Sequence, residues 1–314
     1  MQCNRRVAFL SSVALVGLAT AQSLAPAFAA TAPLSNPQVV AHFNISTLQQ
    51  PENITLEPSG SAIVTFNRSR QIARVTTSGV VTILATLPAP ASGTATASGI
   101  VRAVDGTLYV NYNAGVLSGI WRVPASGGTP VQFVALPDVA NLNGLAIDPA
   151  ALYATDSASG TVWKISLSAG TVGAATLWAQ GTALQRNTTG SSGFGANGIK
   201  VHNGAVWVSN TDKGTLMSIP INANGTPGTL VTKATGITSI DDFAFTSSGD
   251  VLAAQNFLNA ASIIHPDGTH LTVLTSTDGL SNPTSVAING SKAYVASGAY
   301  FTGVDPNLLL ATIG

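Results

Sequence analysis

Apolar residues in this chain come in short runs, separated by Gly, Pro, Asn, Asp and Ser, and the runs recur as a unit. Each unit has a polar opening residue, a small or polar one, an apolar run, a Gly-containing turn and a second apolar run. The first is Pro51-Glu52-Asn53-Ile54-Thr55-Leu56, with Ala62-Ile63-Val64 after the turn. The others open at Ser98-Gly99-Ile100, Asn143-Gly144-Leu145, Asn197-Gly198-Ile199, Asp241-Asp242-Phe243 and Thr284-Ser285-Val286. A third run follows in each unit, such as Gln71-Ile72-Ala73-Arg74-Val75 or Val162-Trp163-Lys164-Ile165. Most units end in a more polar fourth run, such as Val80-Val81-Thr82-Ile83-Leu84. Short apolar runs bounded by turn residues read as strands. The openings at 52, 98, 143, 197, 241 and 284 are spaced by 46, 45, 54, 44 and 43 residues. Four strands per unit at this period predict an all-β, six-bladed β-propeller with four-stranded blades.

The chain ends predict how the ring closes. Residues 308–313 read as the third strand of the sixth unit, which has no fourth strand after it. Residues 38–43 precede the first unit and can supply that strand, leaving no open sheet edge. The expected domain runs over 38–314.

Before it, Arg5 and Arg6 precede an apolar run over 7–18, and small residues follow. This is the pattern of a secretory signal peptide within 1–29, with cleavage after Ala21 or Ala29. The run is short for a membrane span, and the arginine pair also admits a twin-arginine export signal. The expected location is extracellular or periplasmic. About 285 residues then remain, enough for one large domain.

The single cysteine, Cys3, lies in the leader, so the mature chain has no disulfide and no cysteine nucleophile. The whole chain carries 13 basic and 13 acidic residues; without Arg5 and Arg6 the balance is 11 to 13, a net charge of −2. That excludes a nucleic-acid footprint. A small-molecule substrate and a monomer are expected. Asn-x-Ser/Thr sequons at Asn44, Asn53, Asn67, Asn187, Asn224 and Asn289 would mark a glycoprotein in a glycosylating host. Asn53, inside an inner strand, would be a poor acceptor.

In a propeller the opening residue of each innermost strand sits on one rim of the central channel. Here those residues are Glu52, Ser98, Asn143, Asn197, Asp241 and Thr284, all bearing oxygen. Carboxylates and amides around a narrow axis suit a hard divalent cation, calcium first. The absence of sulfur and histidine from the ring argues against structural zinc. A water-filled mouth with no cation is the alternative, since Asn-Gly is also a turn signal.

At these positions the chain resembles the senescence marker protein and gluconolactonase family of calcium-dependent phosphotriesterase-like six-bladed propellers. The resemblance to strictosidine synthase and paraoxonase propellers is looser. That family sets a Glu on its first blade, Asn on its third and fourth and Asp on its fifth around a divalent metal. The resemblance therefore implies Glu52, Asn143, Asn197 and Asp241 as metal ligands, and Asp241 as general base. The family's Pro-Asp-Gly around its metal Asp is Ile240-Asp241-Asp242 here. Fungal hetero-Diels–Alderase-like relatives in secondary metabolism are non-hydrolytic cyclases on the same scaffold.

Ser-His-acid hydrolysis fits poorly. His42, His202, His265 and His270 all fall away from the expected rim, and no Gly-x-Ser-x-Gly elbow is present. The leading expectation is a metal-dependent lactone or ester hydrolase; a cyclase or a non-catalytic binding propeller are the alternatives. Residues 185–196, rich in Gly and Ser and carrying Phe194, are expected to form a lid. Tyr112, Phe257, Tyr300 and Phe301 are expected near the same mouth, with Ser98 and Thr284 from the ring. Asp156 and Asp242 are candidate assisting carboxylates in the pocket, although each reads first as a turn or supporting residue.

Overall fold

A computed structural model describes residues 1, 33–136, 141–170 and 172–314 of the chain. The leader predicted over 1–29 lies, apart from Met1, outside the described residues. Six four-stranded antiparallel sheets make up the fold, with three single turns of 3-10 helix between strands. Blades 1 to 5 occupy 51–86, 96–135, 142–180, 196–234 and 240–274. Blade 6 takes three strands from 283–313, and Leu34–His42 completes it. That strand runs antiparallel to Asn307–Ile313, with Leu34 opposite Ile313 and His42 opposite Asn307. It begins four residues before the expected start at Gln38, because Leu34 is buried against blades 5 and 6. First and last segments of the chain thus share one sheet, and no blade is left with a missing outer strand.

The core is distributed between the blades. One buried apolar cluster fills each of the six interfaces among the described residues. Strand alternation explains this: successive side chains point to opposite faces, and both faces of a blade meet a neighbour. The cluster between blades 6 and 1 includes Ala41 and Phe43 from the closing segment, and Phe43 meets Phe66 edge-on at 4.9 Å. The interface that closes the ring is therefore packed like the others.

The inner strands are drawn together by a repeated hydrogen bond. A buried polar residue on the second strand of one blade donates to the backbone of the next blade's inner strand. Thr65 Oγ1 reaches Ser98 O at 2.7 Å, Asn111 Nδ2 reaches Asn143 O at 3.0 Å, and Thr155 Oγ1 reaches Asn197 O at 2.5 Å. Ser209 Oγ does the same to Asp241 O. Every acceptor belongs to a residue of the predicted ring, so each of blades 1 to 4 fixes the ring residue of the next.

The ring residues also sit in irregularities of strand register. In all six blades the pairing of the first two strands slips where the inner strand begins, as between Pro51 and Asn53, Leu142 and Leu145, and Ile240 and Phe243. A bulge re-aims side chains locally. Here it allows the ring residue and its successor both to serve the channel.

Gly99, Gly144 and Gly198, the successors in blades 2 to 4, lie inside inner strands, so the Ser98-Gly99 step and the two Asn-Gly steps are not turns. A Cβ at Gly144 would meet Asn197 O at 2.5 Å; at Gly198 it would meet Asp241 O and Asp242 Cα at 2.6 Å. The glycines are there because neighbouring backbones approach too closely for a side chain. Gly144→Ala should therefore force the inner strands apart at a cost of about 1–3 kcal/mol, the usual range for overpacking. Thermal unfolding should show a midpoint lower by several degrees; an unchanged midpoint would contradict the close approach.

Candidate functional site

One end of the channel opens into a cavity of about 430 Å³. Five of the six ring residues, Glu52, Ser98, Asn143, Asn197 and Asp241, line it. So do Phe194, Phe257, Tyr300 and Phe301. Four expected pocket residues do not. Thr284 is buried and turned to the backbone, donating to Pro51 O at 3.1 Å across the ring-closing interface. Tyr112 falls within the second strand of blade 2, not after it; alternation sends its ring into the interface with blade 1, where its hydroxyl donates to Pro88 O. Asp156 caps a turn, with Oδ1 accepting from the backbone amides of Asn141 and Ala158 at 3.2 and 3.0 Å.

Asp242 points along the channel, below the cavity. Its Oδ1 accepts from Lys200 Nζ at 2.5 Å, and its Oδ2 from Ser285 Oγ at 2.6 Å and Asn53 Nδ2 at 3.1 Å. Asn53, Asp242 and Ser285 are the successors of ring residues in blades 1, 5 and 6. On the opposite side Gly99, Gly144 and Gly198 leave no room for a side chain. A buried carboxylate needs such a full set of donors. The cluster floors the cavity and commits Asp242 to structure.

Glu52 and Asp241 are differently placed. Glu52 accepts a hydrogen bond from the Tyr300 hydroxyl. Desolvation pushes the Glu52 carboxyl up to about 7; the Tyr300 bond opposes this and the charge of Asp242 adds to it. Asp241 is pushed well above the usual carboxylate range by burial, then by the charges of Glu52 and Asp242, against a hydrogen bond from Asn197 and the charge of Lys200. Tyr300 is raised as well, by burial and by the neighbouring Glu52. Two buried carboxylates thus share one mouth, a site that favours either protonation or positive charge.

The donor set fits a hard cation. Asn197, almost wholly buried, donates through Nδ2 to Thr211 Oγ1 at 2.8 Å, while its Oδ1 is buried without a hydrogen-bond partner. An orphaned carbonyl beside two carboxylates and the Asn143 amide makes an all-oxygen set. Among the described residues no group of three or more His, Cys, Asp or Glu is placed to hold a metal. The set here has only two such residues and depends on amides for the rest.

Further lining residues were not picked out by the ring pattern: Gln50, Asn67, Arg68, Asn141, Thr211 and Asn256 among them. Three of these form a second repeat. Asn67, Thr211 and Asn256 end or follow second strands and donate to the next blade's backbone, as do Asn113 and Ser157. Polar residues at that recurring position are the signal that would have found them. The histidines lie elsewhere: His42 meets Asp305, His265 meets Asp250 at 2.8 Å, and His202 stacks on Phe245.

The segment 185–196 reaches the cavity through Phe194 and is held by Asp212. That carboxylate accepts from Asn187 N at 2.9 Å, Ser192 N at 2.7 Å and the Ser191 hydroxyl. Burial alone would raise its pKa, but these bonds outweigh it and hold it below the usual 3.8.

With geometry in hand, comparison with known proteins places the chain. A family model described as a repeat of unknown function (DUF6923) matches residues 61–296. The chain belongs to that family. The match runs from the second strand of blade 1 to that of blade 6, about three quarters of the sequence. No curated protein matches the chain. Solved structures of similar fold include the calcium-binding protein regucalcin from Agrobacterium tumefaciens, at 17% identity and a TM-score of 0.66, covering 88% of this chain and 93% of that one. Virginiamycin B lyase from Staphylococcus aureus is similar at 15% identity and a TM-score of 0.59, covering 89% and 99%. A luciferin-regenerating enzyme gives 14% and 0.60, covering 88% and 95%. At these identities the likeness to this member of the repeat family is one of fold. The neighbours are mostly enzymes; the reaction is for the site to decide.

Two outcomes test the electrostatics. A carboxyl raised to about 7 keeps its proton in the folded state over a range where the unfolded chain has lost it. The folded state then binds more protons, and its stability falls as pH rises from about 4.5 towards 7. Metal-free Glu52→Gln should lose this contribution and melt a few degrees above the parent at pH 8, with little difference at pH 4.5. For Asp212 the sign is opposite: its depressed pKa contributes stability above the ordinary aspartate range, which is lost as pH falls through the folded value. Asp212→Ala should speed amide hydrogen exchange over 187–192 by about tenfold or more at neutral pH, and equal exchange would show the segment is held by other means.

Proposed function

We propose that the protein is a secreted, divalent-metal-dependent hydrolase of a lactone or ester of a small organic molecule. One observation carries the reading: Glu52 and Asp241, both with raised pKa, share a cavity with Asn197, whose Oδ1 is buried without a hydrogen-bond partner. Glu52, Asn143, Asn197 and Asp241 would hold the cation, calcium before others, and regucalcin's description as calcium-binding supports that choice. When bound, the cation would polarise a substrate carbonyl and stabilise the oxyanion that forms on it.

The chain's own residues do the rest. Tyr300 fixes the Glu52 carboxylate by donating to it. Asp242 is neutralised by Lys200 and two further donors. That leaves Asp241 as the carboxylate free to take a proton from water. Phe194, Phe257 and Phe301 line one side of the cavity. Secretion rests on the leader pattern in 1–29. No helix among the described residues is long and apolar enough to cross a membrane.

The aromatic side of the cavity favours a second reading, a biosynthetic cyclase that works by orienting a reactive intermediate. Asp241→Asn separates the two. If Asp241 is the base, turnover of a responsive lactone or ester should fall about 10²–10⁴-fold. Glu52→Gln should instead raise the calcium requirement and be partly rescued by excess calcium. The test is a lactone and ester panel run with calcium and with chelator, beside calcium titration calorimetry. Turnover retained by metal-free Asp241→Asn would refute the hydrolase and promote the cyclase.

A further inference from the structure

The cavity has two unlike walls. Blades 5 and 6 and the segment before blade 4 supply aromatic rings. Phe257 and Phe301 face each other at 4.8 Å between centroids and 36° between planes, yet remain 44% and 62% exposed. Both stand in turns that follow second strands, so neither is needed to pack one blade on another. Blades 1 to 3 supply polar side chains and one cation, Arg68, exposed on the turn after the second strand of blade 1. None of the ion pairs among the described residues involves Arg68. Arg68 lines the same cavity as Tyr300, Phe257 and Phe301.

Charge sets the direction in which a ligand would lie. The floor is acidic, with Glu52 and Asp241 at the cavity and Asp242 below. An anionic group directed there would meet carboxylates; directed outward, it meets Arg68. Guanidinium is the side chain best suited to a carboxylate, through paired charge-assisted hydrogen bonds. Paired exposed rings beside it offer an apolar platform of the kind that marks a ligand site. A volume of about 430 Å³ lies within the range of small-molecule pockets.

We infer that the cavity takes an aryl-bearing organic anion, its ring against Phe257 and Phe301, its anionic group on Arg68 and its neutral end towards Asp241. This rests on the proposed hydrolase only for what happens at the inner end; recognition of ring and anion is separable from it.

Titration calorimetry with 2-naphthoate and its uncharged isostere 2-naphthamide tests the inference, in calcium and in EDTA. One naphthoate should bind per chain, more tightly than naphthamide in at least one of the two buffers. Arg68→Gln should weaken naphthoate about tenfold, reflecting a charged hydrogen bond of ~1.4 kcal/mol, and leave naphthamide unchanged. Arg68→Lys should fall between. Phe257→Ala combined with Phe301→Ala should weaken both probes. All these residues are exposed, and circular dichroism checks that the variants fold. Equal affinity for the two probes, no binding of either, or indifference of naphthoate to Arg68→Gln would overturn the inference. The readout is binding, so naphthoate held as expected by a protein that hydrolyses nothing in the panel would sink the hydrolase and keep the inference. Hydrolysis of uncharged aliphatic lactones by a protein that does not bind naphthoate would do the reverse.

Discussion

Six inner strands crowd one axis, and the crowding decides what each position near it can carry. At three successive blades the backbones come so close that only glycine fits after the ring residue. At the other three there is room, and the space holds Asn53, Asp242 and Ser285 bonded to one another. The channel is therefore asymmetric although the blades repeat. That asymmetry gives the cavity a solid, charged floor at a depth where a regular ring would leave a hole. Thr65, Asn111, Thr155 and Ser209 maintain it by anchoring the carbonyl of each next ring residue. A bond to the main chain fixes the origin of a side chain more firmly than any contact at its tip, which is what a multidentate site requires.

Charge follows from the same geometry. Three carboxylates, Glu52, Asp241 and Asp242, lie around the axis, with Lys200 against the lowest of them. The pairing is exclusive in practice, because Asp242 is already saturated by Lys200, Ser285 and Asn53. Lys200 relieves Asp241 only at a distance. The upper pair must find compensation from protons or from a cation, and the orphaned Oδ1 of Asn197 is an acceptor that either a carboxyl proton or a cation would satisfy.

Blade number, strand order and ring closure were legible in the sequence because each repeats or completes a repeat. The ring was legible for the same reason: an oxygen-bearing residue recurs at the head of every unit. What escaped was whatever depends on side-chain direction. Tyr112 and Tyr300 both read as aromatics near the end of a second strand. One is two residues too early, and alternation buries it between blades; the other lies beyond the strand, where the turn brings its hydroxyl to Glu52. Asp241 and Asp242 are adjacent carboxylates with opposite fates, because a one-residue step in a bulged strand changes which part of the channel a side chain meets. Arg68 had no pattern of its own: blade 4 also carries a cation in that turn, Lys213, but one residue further along and bonded to the Thr182 carbonyl.

The division of labour between the adjacent aspartates bears on the chemistry. A carboxylate bound to a cation loses basicity, so a residue asked to be both ligand and base has to use its two oxygens differently. Asp242 offers no relief, since its oxygens already accept three hydrogen bonds. Glu52 offers little, since Tyr300 holds it. In the proposed hydrolase the burden would fall on Asp241, whose raised proton affinity is what a base in this position needs. The aromatic wall would serve either chemistry by excluding water from the ligand's flank. Only a reaction that moves a proton makes use of the buried charge beneath it, and that is why the hydrolase reading stands ahead of one that relies on shape alone.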